Sequence, residues 1–162
     1  MEGGQPGTET DRQHYVYDAW NRLTAVYDDD LGNPDDKLVE YEYDGLNQRI
    51  EKRLTPPGGT ASNVDYYYDE DWRLLEEAIH DGSDVLQTMN HYVWDVTYID
   101  APVVRFQDGD GDGTWDDPSD SERYYTFDAN GNITAVIDRD TGNAIERYGY
   151  DPYGQATVYD SS

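Results

Sequence analysis

The chain has 162 residues, a formal net charge of −25, 16 Tyr, 4 Trp and no Cys. The missing Cys excludes disulfides, thiolate zinc sites and cysteine nucleophiles, and no apolar run is long enough for a membrane-spanning helix. With 36 acidic residues against 11 Lys and Arg, nucleic-acid binding is disfavoured, because phosphate recognition needs cationic side chains.

Leu, Ile, Val and Phe together number only 27. A folded core must therefore draw on Tyr and Trp, each of which can bury about 150–250 Å².

In chain order, residues 1–13, MEGGQPGTETDRQ, are polar and Gly-rich and read as a flexible N-terminal lead. From residue 14 to residue 160 the chain reads as a single β domain built from one phrase, aromatic-x-aromatic-Asp, written six times. The second aromatic and the Asp of each copy are Tyr17-Asp18, Tyr43-Asp44, Tyr68-Asp69, Trp94-Asp95, Phe127-Asp128 and Tyr150-Asp151. The steps between these Asp residues are 26, 25, 26, 33 and 23 residues, the even spacing of a repeat protein.

Within each unit the pattern has period two. In LVEYEYD, Val39, Tyr41 and Tyr43 alternate with Glu40 and Glu42, as in a strand with one wet face. The Asp is placed to bond the backbone two residues on, inside a turn. Asn130-Gly131 predicts a hairpin with a type I′ turn. A second strand follows each turn, as in Leu23 to Tyr27 and Ile133 to Ile137, and then a Gly-, Asp- or Pro-rich connection. Single hairpins of this length cannot bury a face alone. The expected fold is all-β, with stacked antiparallel hairpins forming a continuous curved or wrapped sheet.

The 33-residue step carries an acidic insertion over residues 107–122. Its DGDGDGTWD run matches D-x-D-x-D-G, the first half of an EF-hand-type calcium loop. Ca²⁺ takes about 6–8 oxygen ligands. The candidate donors are Asp108, Asp110 and Asp112, the Thr114 carbonyl, and Asp116, with Gly113 allowing the sharp bend. Position twelve is Ser119 in place of Glu, so Asp117, Asp120 or Glu122 has to complete the set. Strands, not helices, are expected on either side. The competing reading is a solvated acidic turn.

The remaining residues carry no catalytic pattern. His14 and His91 hold equivalent repeat positions, which fits a structural role, and there is no H-E-x-x-H, G-x-S-x-G or P-loop. No enzymatic activity is expected.

The YxYD units, ANGNITAVIDRDTG and ERYGYDPYGQ resemble the RHS/YD-repeat proteins over about Tyr15 to Asp160. The most specific stretch, YTFDANGNITAVIDRDTGNAIERYGYDPYGQATV, is similar to the last repeats before that family's core-associated segment. The resemblance implies a bacterial β-shell of toxin-enclosing or cell-surface type. Its implied partners are the remaining repeats of a parent protein or an enclosed C-terminal domain. The chain is far shorter than a complete shell, and the family's downstream self-cleaving segment has no counterpart, so no catalytic residue is carried over. The functional expectation is a structural segment of a secreted or cell-surface scaffold with a calcium loop. The alternative is a calcium-dependent module that binds carbohydrate or protein, without membrane insertion.

Overall fold

The computed structural model describes residues 13–28, 37–56, 58–96 and 101–159. Most of the N-terminal lead, most of the DDDLGNPDD connection and the end of the chain lie outside these. Every regular element among the described residues is a strand. The twelve strands follow one another in the sheet in chain order, antiparallel wherever their register is described. The all-β fold of antiparallel hairpins expected from the sequence is the one observed. No helix is long and apolar enough to cross a membrane.

The chain divides into two compact units at Val64/Asp65. The first holds β1 (Gln13–Tyr17), β2 (Leu23–Asp28), β3 (Lys37–Tyr43) and β4 (Arg49–Leu54). The division falls within β5 (Ser62–Tyr68). The second unit continues with β6 (Leu74–Asp81), β7 (Leu86–Trp94), β8 (Pro102–Asp108), β9 (Ser121–Phe127), β10 (Ile133–Asp138), β11 (Ala144–Tyr150) and β12 (Ala156–Tyr159). β1 starts at Gln13, one residue inside the expected lead.

Each of the six odd-numbered strands ends on the second aromatic of a repeat phrase, and the phrase Asp is the next residue. The Asp then organises the turn. Asp18 Oδ1 accepts the N–H groups of Trp20 and Arg22, both at 2.9 Å. The same pair of bonds recurs from Asp44 to Leu46 and Gln48, and from Asp69 to Asp71 and Arg73. It recurs again from Asp128 to Asn130 and Asn132, and from Asp151 to Tyr153 and Gln155.

In each of these turns the N–H of the third residue after Asp returns to the Asp carbonyl, and that third residue has positive φ. It is Asn21, Asn47, Trp72, Gly131 or Gly154. One left-handed residue after a type I turn, with the register shift seen beside it, makes a three-residue hairpin with a bulge. The type I′ expectation is corrected here. Type I′ needs positive φ at both central residues, and only Gly131, at +82°, has it. The Asp bracket favours the longer loop because it supplies two acceptor bonds that a two-residue turn has no room for.

The second aromatic makes a further bond. Tyr43 Oη donates to the Leu23 carbonyl at 2.8 Å, Trp94 Nε1 to the Leu74 carbonyl at 2.7 Å, and Tyr150 Oη to the Ile133 carbonyl at 2.9 Å. In each case the acceptor is the first residue of the second strand of an earlier hairpin. The phrase thus ties hairpin to hairpin as well as strand to strand. Tyr43→Phe is expected to lower stability by about 1 kcal/mol, the usual worth of such a bond, without altering the fold. Urea unfolding followed by tryptophan fluorescence measures it, and an unchanged midpoint would show the latch to be idle.

The core is thin. Among the described residues, the buried apolar ones are Ala25, Val26 and Val39 in the first unit and Ala78 and Ala101 in the second. Tyrosines of the phrases, Tyr41 and Tyr92 among them, are half-buried. The Tyr92 hydroxyl donates to Glu77 at 2.8 Å. Burial, then the Glu77 carboxylate, pushes the Tyr92 phenol well above its ordinary range.

Candidate metal centre

The insertion is framed by strands, as expected, with β8 ending at Asp108 and β9 beginning at Ser121. Register fixes its two ends side by side, since Gln107 pairs with Ser121 and Met89 with Asp108. The chain leaves and re-enters the sheet through adjacent strands, so the last acidic residues of the loop return to the first.

Asp108 is fully buried at 0% exposure. Its Oδ1 accepts the Gly111 N–H at 2.6 Å and its Oδ2 the Gly113 N–H at 2.7 Å, so the loop is wrapped around this one carboxylate. Two glycines make the wrap possible. Gly113 sits at φ +82°. A Cβ on Gly109 would stand 2.0 Å from the Ser119 carbonyl oxygen, a position no side chain can occupy.

Asp120 closes the loop from the other side. Its two oxygens accept the Gly109 N–H at 3.1 Å and the Asp117 N–H at 2.9 Å. Asp117 accepts the Ser119 N–H at 2.6 Å and also the Ser119 hydroxyl.

Carboxylate oxygens of Asp108, Asp110 and Asp120 lie within 4.8 Å of one another, as do those of Asp110, Asp112 and Asp117. Calcium–oxygen distances are about 2.3–2.6 Å, so oxygens this close can share one ion. The all-oxygen donor set, with Asp110 common to both groups, fits a hard cation. Of the residues singled out in the sequence, Asp110 belongs to both groups, Asp108 to the first and Asp112 to the second. Thr114 and Asp116 fall outside both groups. The Thr114 hydroxyl lies 2.8 Å from Asp112 and 3.0 Å from Asp116, and its N–H donates to Asp112 at 2.7 Å. Asp117 and Asp120, considered only as substitutes for the twelfth ligand, stand in the groups instead.

Electrostatics match this crowding. Partial desolvation, then the nearby Asp117 and Asp112 carboxylates, holds Asp110 above the usual carboxylate range. The Ser119 hydroxyl and N–H hold Asp117 below it. The turn acid Asp128 is lowered by the side chain and backbone of Asn132.

No family model matches the chain. It is 29% identical over 149 residues to the tRNA nuclease WapA of Bacillus subtilis (strain 168), covering 91% of this chain and 5% of that protein. It is 28% identical over 149 residues to the tRNA3(Ser)-specific nuclease WapA of Bacillus spizizenii, again covering 91% of this chain and 5% of the relative. The chain therefore spans about a twentieth of the length of these curated relatives.

Among solved structures it superposes on the crystal structure of TcdB2-TccC3-Cdc42 with a TM-score of 0.61 at 20% identity, over 92% of this chain and 7% of that one. The Photorhabdus luminescens Tc holotoxin pore gives a TM-score of 0.60 at 19% identity, over 93% and 7%. The repeated phrase, the sheet built from it and these likenesses are together consistent with the RHS/YD-repeat family.

Proposed function

We propose that this chain is a structural YD-repeat segment of a much larger secreted or cell-surface shell or scaffold protein, with no catalytic role of its own. The observation that carries this reading is the recurrence of one device. The same Asp-bracketed turn is built five times on the six repeat phrases, and the same aromatic latch three times, so most of the residues that define the sequence are spent on holding strands together. The small share of each relative that the chain matches supports the same reading.

The edge strands point to further repeats as neighbours. In β1, Tyr15 and Tyr17 are 49% and 54% exposed, whereas Tyr43, the counterpart of Tyr17, is half-buried and latched. Amide hydrogen exchange tests this. The β1 amides that face away from β2 should exchange fast in this chain and slow at least tenfold when it is joined to the parent protein's preceding repeat. Equal exchange in both would sink the reading.

A second reading concerns the insertion. The loop holds calcium at one of two carboxylate groups that share Asp110, either with Asp108 and Asp120 or with Asp112 and Asp117, and the ion orders it. The two oxygen clusters support this, and thermal stability with and without calcium is its test. The nuclease activity named for the WapA relatives belongs to those whole proteins, and nothing in this chain's turns or strands assigns it here.

A further inference from the structure

Beside the loop lies a cleft of about 670 Å³ that the repeat architecture does not use. A row of facing residues across neighbouring strands makes its floor. His91 pairs with Phe106 and Phe106 with Glu122, and the Arg139 N–H donates to the Glu122 carbonyl. Cross-strand partners share a face, so these side chains stand in line. The loop then folds Trp115 onto this face, edge-on to Phe106 at 6.0 Å between ring centroids. Trp115 remains 44% exposed, so its ring is available to a ligand.

The walls are acidic. Asp116, Asp117, Asp120, Glu122 and Asp140 line the cleft against one guanidinium, that of Arg139. Arg139 is already engaged, with Nε 3.2 Å from Glu122. Glu122 also accepts the Tyr124 hydroxyl at 2.5 Å. Asp116 and Asp140 are exposed and form no ion pair among the described residues. The wall is thus rich in acceptors and poor in donors, next to an aromatic face.

A neutral sugar could donate its hydroxyls to these carboxylates but would leave their charge unpaired. A group that only donates, carries positive charge and has an apolar stem satisfies both the carboxylates and the indole. We propose that this cleft binds an alkyl guanidinium or alkylammonium head, the chemistry of an Arg or Lys side chain or of a small organic cation. The stem lies along Trp115 and the head is held by Asp116 and Asp140.

The test is a titration followed by NMR at the Trp115 indole N–H, assigned with Trp115→Phe. It is run with chelator present, so the outcome does not depend on a metal in the loop, and at 150 mM salt, where the Debye length is about 8 Å and diffuse attraction to the acidic surface is screened. The probes are butylguanidinium, acetyl-Ala-Arg-Ala-amide and its citrulline counterpart, a neutral shape match. Saturable shifts are expected with both cations and none with citrulline. Asp116→Asn combined with Asp140→Asn should weaken binding about fivefold, as two exposed charge pairs allow. Equal affinity for the two cations assigns the cleft to the head group alone, and tighter binding of the tripeptide assigns it to a side chain on a peptide. Binding of the citrulline peptide as tightly as the Arg peptide, or unchanged affinity in the double variant, would overturn the proposal.

Discussion

Asp108→Ala is expected to destabilise the chain by about 2–3 kcal/mol, far more than truncation of any exposed carboxylate of the acidic loop. The reason is the asymmetry of buried hydrogen bonds. Removing the carboxylate leaves the Gly111 and Gly113 N–H groups without the acceptor around which the loop is wound. A fully buried donor left unpaired costs about 1–3 kcal/mol, and these two part-buried N–H groups fall at the low end of that range. Asp110 is the matched control, two residues away, exposed and acidic. Asp110→Ala in the absence of calcium should shift stability by no more than about 0.5 kcal/mol, the usual range for a surface change. Chemical denaturation in chelator, read by tryptophan fluorescence, compares the two. If both variants unfold at the same denaturant concentration, Asp108 is not the pivot of the loop.

Calcium should raise the melting temperature by several degrees, and the rise should vanish in the Asp110→Ala, Asp112→Ala double variant. The loop lacks the bidentate Glu of an EF-hand, which places its affinity near the 10⁻⁴–10⁻³ M of extracellular modules. At 10 mM calcium, binding linkage then contributes about 1.4–2.7 kcal/mol. For a chain of this size that is roughly 3–10 °C. Magnesium should give less, because it demands a near-octahedral shell and gives up its water reluctantly. Differential scanning calorimetry at constant ionic strength separates site binding from screening of the −25 charge. An equal gain in wild type and double variant would reduce the loop to a solvated acidic turn.

The strand ends and turn acids were readable from sequence because both are local. Period-two patterning ends where Tyr43 meets Asp44, and an Asp three residues before Asn47 is a turn signal anywhere. What depends on register was not readable. The Tyr43 latch needs Leu23 brought alongside from twenty residues back, and no spacing rule announces it. The Asp81 turn escaped notice for the opposite reason. It has the same bracket, with Asp81 Oδ1 accepting the Ser83 and Val85 N–H groups and Asp84 at φ +63°, but no aromatic phrase precedes it. HDGSDV carries the signal, Asp followed by a left-handed-tolerant Asp three residues later. In the loop, the EF-hand frame orders ligands along the chain. Here the return of β9 beside β8 orders them in space, which brings in Asp120 and leaves Asp116 to the cleft.

Strand order that copies chain order also has a kinetic meaning. In each unit every described pairing joins strands that are consecutive along the chain, so no pairing waits for a distant segment to arrive. Contact order stays low for an all-β chain, and low contact order speeds folding. A hairpin closes in about 1–10 μs, and the Asp bracket biases its turn before the strands meet. Once one hairpin exists, the next docks on its open edge, as in other quasi-one-dimensional repeat arrays. Such a chain can fold from one end as it is synthesised, each new strand adding to the edge left by the one before it.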